Sequence, residues 1–324
     1  MPIYDAIKNF NEQFAYEPIV ENGAKFGRFE KFVIAGMGGS GHAADLIKAL
    51  DPALRITVHR DYGLPAISEK ELEQSLIIAS SYSGNTEESL DALQEATKRE
   101  LHVAAISIGG KLLGIAKREG IPYIQLPDTG IQPRTAVGFS IKALIKLLRQ
   151  DSMSRQLGEL SHKLDPHYCE SAGKDLGQRL HGFVPLIYAS TRNGAVANNW
   201  KIRFNETGKI PAFWNVVPEL NHNEMNGFDR TDSTKALSGN FYTIILKDAD
   251  DDPRVLKRME VLASLYRERG ISVETISMEG ENRFVKIFSS LILADWTSYF
   301  LGESYGVETE QVPMVEEFKD LIQK

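Results

Sequence analysis

A single cysteine, Cys169, stands in a chain of 324 residues, so no disulfide can close within it and no oxidising compartment is indicated. It lies in a polar stretch without a nucleophile motif and reads as a bystander thiol. Positive charge is also scarce: 37 Lys and Arg face 44 Asp and Glu, a formal net charge of −7. Such a chain has no broad basic field to gather nucleic acid or anionic lipid, so an anionic ligand needs a local pocket. Long apolar runs are missing too. No window reads as the roughly 18 apolar residues of a membrane helix, and the opening MPIYDAIKNFNEQF is acidic and amphipathic, not the apolar core of a signal peptide. The expectation is a cytoplasmic protein with neither membrane nor nucleic-acid partner. No metal-ligand cluster stands out either. His162 and His167 are off one another's helical face. Asp248–Pro253 lacks the glycine and distal glutamate of a calcium loop and reads as a strand end followed by a helix start. Neither a metal nor a cofactor is expected.

What is present is the composition of an ordinary globular protein, 42% hydrophobic and 25% charged, long enough for two domains of roughly 150 residues each. Short β-branched runs at 31–37, 55–61, 75–81, 102–108 and 122–126 alternate with helically spaced stretches such as 43–50 and 87–99, and a long apolar helix covers 136–148. The chain turns polar from 151 to 181, a helical linker. A second series follows, with strands at 183–190, 210–217, 241–247 and 271–278 and apolar helices at 255–267 and 284–300. Continuous apolar strands separated by helices imply a mostly parallel sheet covered on both faces. The expected fold is α/β, two tandem doubly wound domains, 1–150 and 151–324.

Two turns carry chemistry. The first strand runs into Gly36-Met37-Gly38-Gly39-Ser40-Gly41, formally G-x-G-x-x-G, and Asp61 ends the second strand. That is the pattern of a dinucleotide site, and more generally of a backbone-lined anion site at a sheet edge. The third strand runs into Ser81-Tyr82-Ser83-Gly84-Asn85-Thr86-Glu87-Glu88. Its three hydroxyls, Ser81, Ser83 and Thr86, meet the N–H groups of a helix start, where the dipole adds about half a positive charge. A single phosphate suits this second turn, for which a nicotinamide enzyme has no use.

GMGGSG followed by SYSGNTEE resembles the sugar isomerase (SIS) domain family. The likeness continues with Pro133-Arg134-Thr135-Ala136-Val137-Gly138-Phe139, with Asn205-Glu206-Thr207-Gly208-Lys209, and with Glu219-Leu220-Asn221-His222-Asn223-Glu224. In this order the motifs resemble the bifunctional phosphoglucose/phosphomannose isomerases, built from two such domains, and the resemblance spans essentially the whole chain. It implies a phosphorylated hexose as substrate, with the phosphate held by Gly39, Ser40, Ser81, Ser83 and Thr86, and aldose–ketose isomerisation through an enediolate. Glu206 is the expected base, since a carboxylate in a partly dried cleft can take a proton from carbon. His222 suits ring opening, because imidazole titrates near neutral pH; in the similar isomerases it comes from the partner subunit, so a homodimer with shared sites is implied. Arg134 offers a fixed positive charge to the enediolate. Lys319, in a final helix at 315–323, matches a C-terminal lysine placed near the site. The position bearing on glucose against mannose selectivity falls among Thr309, Gln311 and Val312, which remain alternatives.

Two other readings differ in class. A non-catalytic SIS regulator would bind sugar phosphate without turnover and normally carry a DNA-binding segment, for which the first 30 residues are short and acidic. A dinucleotide enzyme leaves SYSGNTEE, NETGK and LNHNE unexplained.

Overall fold

The computed structural model describes residues 1–23 and 27–322. The chain divides into two compact units, Met1 with Asn9–Leu164, and Pro2–Lys8 with Asp165–Lys324.

The first unit holds a five-stranded sheet of β1 (Lys31–Ala35), β2 (Arg55–His59), β3 (Ser75–Ser80), β4 (Val103–Ser107) and β5 (Tyr123–Gln125), all parallel, in the order β2-β1-β3-β4-β5. Every residue of β3 is buried, as the continuous apolar runs require of a sheet covered on both faces. The second unit repeats the pattern with β6 (Val184–Ser190), β7 (Phe213–Val217), β8 (Phe241–Lys247) and β9 (Ser272–Ser277), again parallel, in the order β7-β6-β8-β9. Among the described residues, all nine strands lie within the expected runs.

The helices, in chain order, are α1 (Ile3–Lys8), α2 (Gly38–Leu50), α3 (Glu69–Glu73), α4 (Glu87–Lys98), α5 (Gly110–Glu119), α6 (Val137–Leu147), α7 (Asp151–Lys163), α8 (Glu170–Leu180), α9 (Gly194–Glu206), α10 (Pro253–Glu268), α11 (Arg283–Tyr305) and α12 (Pro313–Ile322). The polar stretch expected as a linker is α7 and α8. Met153, Leu157 and Leu160 of α7 are buried and Asn11 donates to the Ser161 carbonyl, so α7 belongs with the first unit. The division therefore falls after Leu164, later than the expected 150. The first helix belongs with the second unit: Tyr4 stacks edge-on to Trp296 at 5.1 Å and donates to Glu170.

One expectation needs correcting. By length and composition α11 is apolar enough to cross a membrane, because its few charges are spread over 23 residues. In the structure 67% of its apolar window is buried, as in the core helix of a folded domain.

Candidate active site

In a sheet ordered 2-1-3-4-5, the chain leaves β1 toward one edge and β3 toward the other. A crevice opens between their carboxyl ends, and such folds bind ligands there. The two singled-out turns line that crevice in the first unit. The glycine turn opens α2, whose N-terminal N–H groups have no side-chain cap. The hydroxyl turn opens α4, likewise without a side-chain cap.

Within the hydroxyl turn the three oxygens differ. Ser81 is buried, and its Oγ accepts the N–H groups of Gly84 (3.0 Å) and Thr86 (3.4 Å) and lies 2.7 Å from Thr86 Oγ1. It shapes the loop. Ser83 is exposed, and among the described residues its Oγ makes one contact, accepting the Asn85 N–H at 3.3 Å, which leaves its hydroxyl proton uncommitted within the loop. Gly84 sits at φ +75°, and a Cβ there would stand 1.9 Å from the Gly109 carbonyl. Only glycine lets these two loops touch.

Arg134 is 4% exposed, in the turn before α6. That turn abuts the glycine turn: a Cβ on Gly39 would lie 2.6 Å from the Pro133 carbonyl oxygen. The structure thus brings Gly39, Ser40 and the Arg134 loop together. Gln13, which the sequence reading missed, pins this loop from behind. Buried to 3% exposure, it donates to the Thr135 carbonyl (2.7 Å) and accepts the Gly138 N–H (3.0 Å). A glutamine between Phe10 and Phe14 was the available signal.

In the second unit Glu206 is the last residue of α9, half-buried, where the helix hands over toward β7. Lys209 donates to the carbonyls of both Glu206 and Gln311, tying the turn after Glu206 to the segment before α12. Thr309 approaches the same place. A Cβ on Gly302 would meet Thr309 Cγ2 at 2.7 Å and the Thr207 carbonyl at 2.9 Å. Of the three selectivity alternatives, Thr309 is buried, Gln311 exposed and Val312 between them. His222 ends a 3-10 turn (Glu219–His222), is exposed, and makes no side-chain hydrogen bond to a described residue. Lys319 pairs with Glu316 at 2.7 Å on α12, a helix without a buried residue.

The second unit has its own crevice between β6 and β8, and protein side chains fill it. Asp251, 6% exposed, accepts from Ser190 Oγ at 2.8 Å and from Asn193. Asp248, fully buried, accepts from Lys286 (2.8 Å) and Arg283 (3.2 Å), with Arg192 at 3.9 Å. No group of His, Cys, Asp and Glu able to hold a metal occurs among the described residues. Cys169 is half-buried; burial and then Asp165 push its thiol up to about 11, which leaves it unreactive at neutral pH.

The family model described as the bacterial phospho-glucose isomerase C-terminal SIS domain matches residues 170–322. The chain is 33% identical over 339 residues to the bifunctional phosphoglucose/phosphomannose isomerase of Caldicellulosiruptor bescii, covering 98% of each. It is 29% identical over 326 residues to the protein of that name from Aquifex aeolicus, covering 99% of this chain and 98% of the other. Among solved structures, the C-terminal domain of glucosamine-fructose-6-phosphate aminotransferase from Francisella tularensis matches with a TM-score of 0.69 at 15% identity, over 95% of this chain and 96% of that one, a likeness of fold alone. Sharing a third of its residues with such an enzyme along nearly its whole length, the chain belongs to the bifunctional phosphoglucose/phosphomannose isomerase family and is a sugar-phosphate isomerase.

Proposed function

We propose that the protein interconverts glucose 6-phosphate and mannose 6-phosphate with fructose 6-phosphate by moving a proton between C2 and C1. The phosphate is held by Gly39 and Ser40 at the start of α2 and by Ser83 and Thr86, with Ser81 shaping their loop. His222, supplied by a second copy of the chain, moves a proton on or off the ring oxygen to open the sugar. The Glu206 carboxylate then removes the C2 proton. The C–H electron pair becomes the C1–C2 double bond, and the carbonyl pair moves onto O1. Arg134 stabilises that oxyanion as charge develops. O1 gains a proton, O2 gives one up to become the new carbonyl, and the Glu206 carboxylic acid returns its proton to C1. Lys319 assists near the site, and Thr309, packed beside the turn that carries Glu206, bears on the C2 configuration accepted.

The observation that supports this reading is the approach of the Pro133 carbonyl to Gly39, which brings the loop that carries Arg134 against the glycine turn proposed to hold phosphate. The exposure of His222, without a hydrogen-bonding partner among the described residues, supports its use by a partner subunit. The test is a coupled assay with each aldose phosphate. Wild-type turnover should exceed that of Glu206→Gln by about 100-fold or more, the scale of a general base; equal rates would remove Glu206 from the mechanism. Sedimentation should show a dimer, and a fully active monomer would contradict the shared histidine.

A further inference from the structure

Two residues after His222, the half-buried Glu224 opens a second 3-10 turn (Glu224–Phe228) and its carboxylate meets two side chains of the sheet. Its Oε1 accepts from the Tyr188 hydroxyl at 2.5 Å and its Oε2 accepts from Asn215 Nδ2. Tyr188 on β6 and Asn215 on β7 are register partners in the sheet. Neighbouring strands lie about 4.8 Å apart, so two side chains abreast can each reach one oxygen of a single carboxylate. Both donors are committed. Asn215 is oriented because its Oδ1 accepts the Val216 N–H at 2.8 Å. Tyr188 is fully buried; burial, then Tyr266 and Glu224, raise its pKa far above the usual phenol value, so its proton stays in place.

The residues around His222 are equally fixed. Leu220 is fully buried in the cluster of Tyr188, Val217 and Tyr266, and Met225 and Phe228 pack against it. Asn223 accepts the Glu224 N–H and donates to Glu219 at 2.8 Å. His222 alone faces outward without a side-chain hydrogen bond to a described residue, so the direction of its ring is set through the backbone on either side. Glu224 is half-buried, and a carboxylate partly withdrawn from water is held there by the donors that meet it.

From this clamp we infer that Glu224 is a positioning residue for the reaction: its grip on Tyr188 and Asn215 aims His222. The inference rests on the ring-opening role proposed for His222. Steady-state kinetics of the full-length protein test it. Glu224→Ala should lower kcat about tenfold or more while KM changes little, since the phosphate is gripped by other loops. Glu224→Gln should fall between wild type and Glu224→Ala, because its one amide oxygen can accept from only one of the two donors, Tyr188 and Asn215. The deciding measurement is a double-mutant cycle. In a His222→Ala background, Glu224→Ala should cost nothing further, because its effect runs through the missing ring.

Wild-type kcat in Glu224→Ala, or an equal loss in both backgrounds, overturns the inference. If Glu224→Ala does not fold, Tyr188→Phe decides: it removes one bond of the clamp and should show a smaller loss confined to kcat that also vanishes without His222. Failure of the underlying role looks different, since His222→Ala would then itself retain wild-type kcat.

Discussion

Arg203 donates from Nε to Asp295 Oδ1 at 2.7 Å in the interior of the second unit, with 1% and 2% of the two side chains exposed. Arg203 stands in the last turn of α9, three residues before Glu206, and Asp295 lies in the middle of α11. The helix end that presents the proposed base is thus tied by charge to the unit's long core helix. A buried pair adds little over an apolar pair of equal volume, but deleting one partner strands the other charge. Asp295→Ala should therefore cost about 3–5 kcal/mol, read as a lower urea midpoint. Arg203→Met with Asp295→Leu should recover most of it. A loss under about 1 kcal/mol for the single change would mean the pair behaves like a solvated one.

The contact between Gly39 and Pro133 makes a kinetic prediction. An added methyl group at Gly39 cannot coexist with a carbonyl oxygen 2.6 Å away, so Gly39→Ala must move the loop that carries Arg134. Displacement of a charge-stabilising group by about 1 Å can cost about 100-fold in rate. We expect kcat/KM to fall by about that factor with the fold intact by circular dichroism. Unchanged kcat/KM would show that Arg134 needs no such placement.

The two serines of the hydroxyl turn should separate structure from binding. Ser83→Ala removes an exposed hydroxyl with one weak backbone contact. Loss of one hydrogen bond to a charged group, about 1.5–3 kcal/mol, should raise KM for hexose phosphate about 10- to 100-fold at unchanged thermal stability. Ser81→Ala instead removes the acceptor of two N–H groups, so its melting temperature should drop as well. Equal melting temperatures with equal KM would contradict this division of labour.

Much of this was legible in the sequence because it depends on local pattern. Runs such as Ser75–Ser80 must be buried on both faces, and the turns after β1 and β3 follow from glycine and hydroxyl chemistry at strand ends. The acidic segment at Asp248 is the expected strand end and helix start, with Asp252 capping α10. Hidden from the sequence were partners far apart in the chain. The glutamine between Phe10 and Phe14 hinted that Gln13 is buried, but nothing local names Thr135 as its partner, or Tyr188 and Asn215 as the seat of Glu224. The unit boundary was missed for the same reason, since α7 is assigned by what its apolar face packs against.

The filled crevice of the second unit makes a pH prediction with two signs. Burial pulls Asp248 upward, but Lys286, the Asp250 N–H and Arg192 together outweigh it and hold its carboxyl below the ordinary range. Its contribution is therefore present above about pH 4, the unfolded value, and is lost as pH falls through the lowered folded value. Asp248→Asn should be clearly destabilised at pH 7, and its gap to wild type should close under acid. The adjacent Asp251 is shifted the other way: burial, and then the charge of Asp248 against the hydrogen bonds from Ser190 and Asn193, raise it above the ordinary range. Folding holds that proton more tightly than the open chain does, so ionising Asp251 erodes stability as pH rises from about 4 through its raised value. The stability of Asp251→Asn relative to wild type should accordingly improve as pH rises above about 4, whereas that of Asp248→Asn worsens as pH rises toward about 4 and then levels off. Urea midpoints of the three proteins across about pH 3 to 7 test both slopes, and parallel curves would show that neither carboxylate is perturbed by the cluster. The same cluster makes a prediction for binding. Asp248 and Asp251 stand at the crevice of the second unit that corresponds to the proposed phosphate site of the first, so titration with hexose phosphate should saturate at one ligand per chain; a second equivalent site of similar affinity would mean the carboxylates do not close the crevice.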